Sequence, residues 1–339
     1  MLVGGPAGLC VIRHGSSITI APGPPGESVT KVSTMKPFAP GDIFLGCTYL
    51  NDPRDDHAGE GRILQFDCNL VPKGTLYTEG TTHLVINLSF GPDGTLWAFD
   101  PFARCVVRVG RDGRQLPAFD GGGRAWGNVA FGRDGSVYLG EYLKGSRPYK
   151  GGDMRLLPGT DVVGHGRIQK RNAALEPVTE FDNETAASPT GFHGVTHTAM
   201  HPGGRILAYI TDLGMRVMRF DVVAGRQMPD LVSYPGGAEY ARKWTTGVAY
   251  LDDGTLLLLR GSFIDLLDEA GNALRSIQLD EYGYAMIRSC RDQRYALVAN
   301  IFTGVMSRVD LLEERITGQI DTGFAKPYRS LAGVAEFPG

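Results

Sequence analysis

Short apolar runs that alternate with glycine-containing turns make up most of the chain. Residues 88–100 show the pattern clearly, because an apolar run leads into Asp93 and Gly94 and a second apolar run follows. An Asp-Gly pair between two β-prone runs is a strong indication of a β-hairpin. This stretch therefore predicts two antiparallel strands joined at Asp93 and Gly94.

The same hairpin pattern recurs along the sequence. Similar phrases occupy residues 129–138, 198–207, 248–257, 288–297 and, cut short by the end of the chain, 334–339. In most copies a third strand that ends in an acidic turn follows the hairpin, and a fourth, less regular strand leads to the next copy. A repeat of about 40 to 50 residues with four short strands is typical of a β-propeller.

The truncated last copy indicates how the ring closes. Residues 36–80 contain three strands but lack a first strand of their own, so the C-terminal strand in residues 329–339 is expected to complete that blade. The sequence therefore predicts an all-β, six-bladed β-propeller with four-stranded antiparallel blades. Residues 1–339 are interpreted as one domain, in which residues 1–35 form an N-terminal extension whose segments 9–12 and 17–20 are expected to pair as a hairpin.

Composition excludes several classes of protein. The chain has 34 Lys and Arg against 37 Asp and Glu, with the basic residues scattered singly, so we expect no nucleic-acid partner. No apolar run approaches the roughly 18 to 20 residues of a membrane span, and the N-terminus lacks the basic start and apolar core of a secretory leader. Five cysteines without metal-ligand spacing predict free thiols in a reducing compartment, the cytoplasm.

Basic residues recur at the predicted start of the first strand of each blade. In a propeller these strands line the central channel, so residues that precede them rim one mouth of it. Each repeat has an aromatic or equivalent residue at the end of its first strand, and these anchors are Phe90, Phe131, Met200, Tyr250, Cys290 and Glu336. The positions seven residues before the anchors carry His83, Arg124, His193, Lys243, Gly283 and Arg329. We therefore predict a ring of cationic and imidazole groups at this mouth.

Other polar and aromatic residues fall close to the same mouth. The ends of the second strands carry Asp100, Glu141 and Asn300, with Asp212 two residues further on in its blade. A deeper layer contains Asn128 and His197, and Trp126, Trp244 and Tyr284 are expected to form aromatic walls. A concave mouth with apolar walls and a few convergent polar groups is the usual form of a small-molecule site.

These residues suggest chemical roles. His83 or His193 is predicted to act as a general acid or base, because imidazole titrates near neutrality. Arg124, Lys243 and Arg329 would hold a carboxylate or a developing oxyanion. Asp100 or Glu141 would orient a histidine or act as the partner acid. Residues 49–61 and 142–166, which connect second to third strands, are predicted to be lids over the site.

The repeats resemble known propeller families. The copy at residues 199–221 resembles the senescence-marker-protein and gluconolactonase repeat, and the Asp-Gly-Thr-Leu-Trp phrase at residues 93–97 is similar to NHL-type propellers and to streptogramin (virginiamycin B) lyases. The lactonase resemblance implies a divalent metal, but Thr196 stands where those enzymes carry an Asn ligand. The lyase resemblance implies proton abstraction that opens a lactone.

Three functions remain open from the sequence. The first is an enzyme that acts by histidine acid–base chemistry on an anionic or oxygen-rich small molecule, by hydrolysis of an ester or lactone or by a lyase or isomerase step. The second is a non-enzymatic scaffold that binds a ligand or a protein on the same face. The third is a hydrolase that uses a divalent metal on Asp100, Asp212 and Asn300. A closed ring has few free sheet edges, which predicts a monomer.

Overall fold

The chain folds into a ring of β-sheets. The structure, a computed structural model, describes residues 16–19, 31–52, 55–144, 165–185, 192–234, 244–325 and 329–339. Within these ranges the secondary structure consists of strands and turns, without a helix. The all-β class is thereby confirmed.

Six sheets form the blades, numbered here along the chain. Blade 1 contains β25 (Arg329–Glu336), β2 (Ile43–Asp52), β3 (Asp55–Phe66) and β4 (Pro72–Tyr77); blade 2 contains β5 (Ile86–Phe90), β6 (Leu96–Asp100) and β7 (Cys105–Val109); blade 3 contains β8 (Trp126–Phe131), β9 (Val137–Lys144), β10 (Ile168–Arg171) and β11 (Pro177–Phe181). Blade 4 contains β13 (His197–Met200), β14 (Ile206–Ile210), β15 (Arg216–Asp221) and β16 (Arg226–Ser233); blade 5 contains β17 (Gly247–Tyr250), β18 (Leu256–Leu259), β19 (Phe263–Leu267) and β20 (Ala273–Gln278); blade 6 contains β21 (Tyr284–Ser289), β22 (Tyr295–Asn300), β23 (Val305–Asp310) and β24 (Arg315–Asp321).

The two ends of the propeller meet in blade 1. Strand β25 pairs antiparallel with β2, with Ile43 opposite Glu336 and Tyr49 opposite Arg329. The innermost strands contact one another in the cyclic order β25, β5, β8, β13, β17, β21 and back to β25. The predicted six-bladed propeller, closed by the C-terminal strand, is confirmed.

Three blades depart from the simple four-stranded pattern. In blade 2 the fourth segment joins β7 only through a bridge between Val109 and Gln115. In blade 3 the short strand β12 (Phe192–Gly194) pairs with the upper end of β9. In blade 6 the strand β1 (Ser16–Thr19) lies parallel to β24 at the outer edge. Because residues 9–12 lie outside the described ranges, the hairpin expected there stays a prediction.

The first predicted lid is largely a continuation of blade 1. Tyr49 pairs with Glu60 and Leu50 with Gly59, so β2 and β3 extend as a two-stranded ribbon through most of residues 49–61. The second predicted lid begins with the last residues of β9, and its residues 145–164 lie outside the described part of the chain. A lid function for either segment stays a prediction.

The Asp-Gly turns are built as the sequence indicates. Asp93 Oδ1 accepts the N–H of Thr95 at 2.9 Å, and Gly94 takes the left-handed backbone conformation with φ of 81°. Asp134 with Ser136 and Asp253 with Thr255 repeat this bond in blades 3 and 5. A residue with a Cβ atom is disfavoured at such a φ, which explains the repeated glycine.

Apolar side chains between neighbouring blades form the core. The largest cluster joins blades 1, 2, 3 and 6 through buried residues such as Phe66, Phe99, Trp126 and Met306. Burial of this apolar surface is the main favourable term in folding. The blades are therefore held together mainly by packing, since the strand ladders run within each blade and only isolated bridges, such as Gly214 with Thr245, join neighbouring blades.

The cysteines do not all occur as free thiols. Cys47 and Cys290 are buried and free, and Cys105 is free and half-buried. Cys68 takes part in a disulfide, so the expectation of free thiols is wrong at that position. The cytoplasmic location rested partly on that expectation and stays a prediction. Within the described residues no helix has the length and apolar character needed to cross a membrane.

Close packing between blades 1 and 2 predicts a sensitive position at Gly46. A Cβ atom at Gly46 would lie 2.1 Å from the Val85 carbonyl oxygen, which belongs to the backbone and cannot move alone. We expect Gly46→Ala to lower the free energy of unfolding by more than about 2 kcal/mol, measured by denaturant titration. Gly123→Ala is the control, because a Cβ there meets no described atom within 4 Å and its φ of 66° costs only about 1 kcal/mol. Equal losses in the two variants would contradict the packing argument.

Candidate active site at the upper mouth

The central channel has two mouths. The first strands begin at one face, here called the upper face, and the Asp-Gly turns lie at the opposite, lower face. The predicted ring of basic residues belongs to the upper mouth.

Polar contacts across the channel separate the two mouths. Asn87 Nδ2 donates to the carbonyl oxygens of Gly127 and Thr196, both at 2.8 Å, so blade 2 is tied to blades 3 and 4. His197 Nε2 lies 3.3 Å from the sulfur of Met286, which joins blades 4 and 6. Arg288 of blade 6 donates through Nε to the carbonyl oxygen of Leu88 in blade 2 at 2.9 Å. We call these three side chains, Asn87, His197 and Arg288, the channel barrier.

His197, predicted to bind substrate, is a buried member of this barrier. Its Nδ1 lies 3.2 Å from Thr196 Oγ1, and 1% of the residue is exposed. Burial, together with the positive charge of Arg288, lowers the pKa of His197 to about 3. The imidazole is therefore neutral at physiological pH. Asn128 lies in the same layer, where Nδ2 donates to the Val195 carbonyl oxygen at 2.7 Å and Oδ1 accepts from Thr198.

Asp100 and Asn300 bind backbone groups of the upper loops. Asp100 Oδ2 accepts the N–H groups of Thr82, His83 and Leu84. Its Oδ1 accepts those of Phe102 and Ala103, and Asn300 Oδ1 accepts the equivalent N–H groups of Phe302 and Thr303. Burial raises the pKa of Asp100, against the opposing effect of these N–H groups. Both residues hold loops in place, since their acceptor oxygens are already occupied.

Glu141 and Arg124 form an enclosed ion pair. Arg124 Nε and Nη2 donate to the two oxygens of Glu141 at 2.7 and 2.5 Å, and Nη1 donates to Glu180. The guanidinium also covers the ring of Trp126, whose centre lies 4.5 Å from Cζ. The hydrogen bonds that Arg124 donates to Glu141 and Glu180 raise the pKa of Arg124. This guanidinium is thus occupied by two carboxylates of its own blade.

The predicted aromatic walls differ from one another. Trp126 is 1% exposed and donates Nε1–H to the Gly121 carbonyl oxygen at 2.8 Å. Tyr284 is buried, and its hydroxyl is within 2.8 Å of Asp280 Oδ1 and 2.7 Å of Ser307 Oγ. Trp244 is half-buried. Of the remaining predicted residues, Lys243 and the side chain of His193 lie outside the described part of the structure.

Asp212 is the residue of the upper mouth whose charge has the weakest compensation. Its Oδ1 is enclosed and lacks a hydrogen-bond partner among the described residues. Burial raises the pKa of Asp212 to about 7, with the Leu213 N–H acting in the opposite direction. The negative charge of Asp212 contributes in turn to the raised pKa of the Tyr142 and Tyr282 hydroxyls. A carboxyl with a pKa near neutrality can both accept and donate a proton.

A chain of rings connects Asp212 with His83. The ring centres of His83 and Phe102 lie 4.3 Å apart, and those of Phe102 and Tyr142 lie 6.2 Å apart, both in edge-to-face geometry. His83 is 1% exposed. We call His83, Phe102, Tyr142, Asp212 and Tyr282 the upper cluster. Sequence reasoning placed His83 and Asp212 at this mouth and missed the three aromatic members, because no turn or strand pattern marks them.

Arg329 and Arg62 form a cationic surface on blade 1, across the ring from Asp212 of blade 4. Arg329 Cζ lies 5.2 Å from the ring centre of Tyr49 and 5.8 Å from that of Phe324. Arg62 covers the same two rings at 6.0 and 5.2 Å. Neither guanidinium forms an ion pair with a carboxylate of the described residues. Their stacking on aromatic faces stabilises the two cations without neutralising them.

The described residues do not form the expected metal site. They contain no group of three His, Cys, Asp or Glu side chains able to hold an ion together. In the predicted set, Asp100 and Asn300 already bind backbone N–H groups and Asp212 is alone. The donor set therefore does not fit the divalent ion that the lactonase resemblance implies, and we derive no step through a metal.

Comparisons with known proteins support the fold. No protein-family model matches the sequence, and a search of curated protein sequences found no match. Among solved structures, a chain of a nidogen/laminin complex is 13% identical with a TM-score of 0.57, covering 87% of this chain and 97% of that one. A streptogramin B lyase is 13% identical with a TM-score of 0.48, covering 81% and 86%. A catalytically inactive virginiamycin B lyase from Staphylococcus aureus with quinupristin is 12% identical with a TM-score of 0.48, covering 80% and 83%. The predicted resemblance is confirmed at the level of the propeller scaffold.

The bonds of Asp100 predict a large stabilising effect. Asp100→Ala would leave five backbone N–H groups of the upper loops without their acceptor. We expect the free energy of unfolding to fall by about 2 to 4 kcal/mol, measured by denaturant titration. Asp93→Ala, which removes the acceptor of one exposed turn, is the control and is expected to cost about 1 kcal/mol. A loss at Asp100 no larger than at Asp93 would contradict a loop-holding role.

The buried imidazole of His197 predicts acid sensitivity. His197 has a pKa of about 3 in the folded protein and an ordinary value of 6.5 when unfolded. Between these values the unfolded state binds more protons, so the contribution to stability is complete above about pH 6.5 and is lost as the pH falls. From pH 7 to pH 5 the wild type should lose about 2 kcal/mol more than His197→Gln, measured by denaturant titration at both pH values. Identical pH dependence in the two proteins would show that the imidazole is not held neutral.

Proposed function

We propose that the protein is an enzyme whose upper mouth binds a small, oxygen-rich organic molecule that carries a negative charge, with Asp212 as the proton-transfer group. One observation carries the proposal. Asp212 is an enclosed carboxyl with a pKa of about 7, and its Oδ1 has no partner among the described residues. Glu141 of the same mouth, by contrast, is paired with the Arg124 guanidinium.

The surroundings of Asp212 support binding of a small molecule. Tyr282 and Phe302 are 49% and 45% exposed, so both rings are accessible to a ligand. They lie on blade 6 beside the mouth, and Tyr142 approaches Asp212 from blade 3. Aromatic walls around one polar group are typical of a ligand site. Arg62 and Arg329 on the opposite blade would bind the negative charge of the ligand.

The proposed chemistry is transfer of a proton by Asp212. In hydrolysis of an ester or lactone, the carboxylate would accept a proton from the attacking water and return it to the departing alkoxide oxygen. In a lyase step, it would accept a proton from the carbon next to the carbonyl while the carbon–oxygen bond of the leaving group breaks. This assignment moves the acid–base role from His83 and His193 to Asp212 and keeps the predicted mouth and substrate class.

The experiment is a turnover assay with Asp212→Asn. A panel of lactones and esters, each with and without a carboxylate substituent, serves as the set of substrates for the purified chain. We expect kcat to fall at least about 100-fold in Asp212→Asn, and kcat/KM of the wild type to rise with pH through about 7 because the base must be deprotonated. Asp112→Asn, at an exposed turn, is the control for the loss of one carboxylate. Full turnover by Asp212→Asn would refute the proposal.

Arg329→Met separates binding from chemistry. We expect it to raise KM for carboxylate-bearing members of the panel about tenfold and to leave the uncharged members unaffected. Arg114→Met, at an exposed turn of blade 2, is the matched control for the loss of a guanidinium, because 87% of the Arg114 side chain is exposed. If the wild type binds panel members but turns none over, the non-enzymatic scaffold replaces the enzyme as the explanation of this mouth.

A further inference from the structure

A cavity lies at the lower mouth, on the other side of the channel barrier from the upper cluster. It has a volume of about 320 Å³ and is lined by the last residues of all six innermost strands. Phe90, Phe131, Met200 and Val248 provide apolar walls. Arg288 is the charged side chain at its inner end, where the barrier closes the channel.

Arg288 is a cation without a compensating carboxylate. It donates to the Leu88 carbonyl oxygen at 2.9 Å, to the Ile287 carbonyl oxygen at 2.9 Å and to Ser89 Oγ at 3.2 Å. A guanidinium has five N–H groups, so two remain after these three bonds to described residues. Arg288 forms no ion pair within the described part of the chain, and burial lowers its pKa to about 10.

The other polar groups of the cavity cannot neutralise Arg288. The hydroxyls of Ser89, Thr198 and Ser289 each donate their proton to a neighbouring oxygen of the protein. Glu336 also lines the cavity, but its contacts are with Cys290 and Arg291, and burial raises its pKa. Arg288 and Arg291 are the two guanidinium groups that line the cavity. Arg291 lies exposed and beside Glu336, so Arg288 is the cation at the inner end that is suited to an anion.

We propose that the lower cavity binds a small organic monocarboxylate, which pairs with Arg288 and places its apolar part against the channel wall. Two remaining N–H groups on one planar guanidinium match the two oxygens of a carboxylate. One uncompensated positive charge is balanced by one negative charge, whereas a phosphate dianion would leave a net charge enclosed near Glu336. The volume is at the small end of the range for ligand sites, which restricts the apolar part to about the size of one six-membered ring. This site is separate from the upper mouth and does not depend on the function proposed there.

The test is calorimetric titration of the full chain with cyclohexanecarboxylate and with cyclohexanecarboxamide, which has the same shape without the charge. We expect the wild type to bind the acid and to bind the amide at least tenfold more weakly. Arg288→Met should lose at least tenfold in affinity for the acid. Arg288→Lys should lose less, because lysine keeps the positive charge but lacks the planar pair of N–H donors. Arg291→Gln, at the exposed rim of the same cavity, is the control and should change the affinity by less than twofold.

Two results would overturn the proposal. One is equal binding of acid and amide by the wild type, or binding of neither at about 10 mM. The other is unchanged affinity in Arg288→Met. Arg288 also connects blades 6 and 2, so substitution of this residue can prevent folding. In that case the wild type is measured instead, by following the side-chain ¹⁵N resonances of Arg288 during titration with the acid. A shift that saturates supports the site, and constant resonances refute it.

Discussion

The propeller depends on how the innermost strands fill their common channel. Six strands that meet around one axis leave room that neighbouring sheets cannot fill, and in this chain the room is occupied by polar contacts between blades. Asn87 illustrates the constraint, because its Nδ2 reaches two carbonyl oxygens on two other blades. To do so it adopts a φ of 51°, and the pairing of β5 with β6 shifts register between Ile86 and Ser89. A strained residue is tolerated here since the surrounding hydrogen bonds determine its conformation.

The channel barrier turns one channel into two separate sites. Above it, the upper cluster has an acidic group, aromatic rings and a pair of arginines on the opposite blade. Below it, the lower cavity has one cation within apolar walls. His197 belongs to the barrier, and the charge of Arg288 contributes to its lowered pKa. An anion bound at Arg288 would weaken that contribution and so raise the pKa of His197, which links the lower site to the centre of the fold.

The fold was largely predictable from the sequence because each blade repeats a local pattern. Asp93 and Gly94 define a turn through interactions between residues that are neighbours in the chain, and the strands on either side follow from alternation of apolar residues. The closure of blade 1 was also predictable, since residues 36–80 lacked one strand and the chain ended with one. Blade 2 is less regular, because the segment after β7 makes only one bridge. No sequence pattern distinguished this segment from the fourth strands of the other blades.

The candidate sites were predictable only in position. Counting along the repeats placed Asp100, Glu141 and Asp212 correctly at the upper ends of the second strands. Their roles differ because of partners that are distant in sequence: Arg124 neutralises Glu141, loop N–H groups occupy Asp100, and Asp212 has neither. The lower cavity was missed for a related reason. Arg288 contacts Leu88, 200 residues earlier in the chain, and such a contact has no periodic pattern.

Compensation of charge separates structural from functional groups in this protein. Arg124 with Glu141 is an ion pair in which each partner reduces the cost of enclosing the other. An enclosed charge without a partner costs stability, and an apolar residue of similar size would avoid that cost. Asp212 and Arg288 both lack an ion-pair partner among the described residues, one at each mouth. At Arg288 a bound anion would supply the missing compensation, and at Asp212 a bound molecule would exchange a proton with the carboxyl. Each mouth is therefore a place where the fold leaves an interaction to be completed by another molecule.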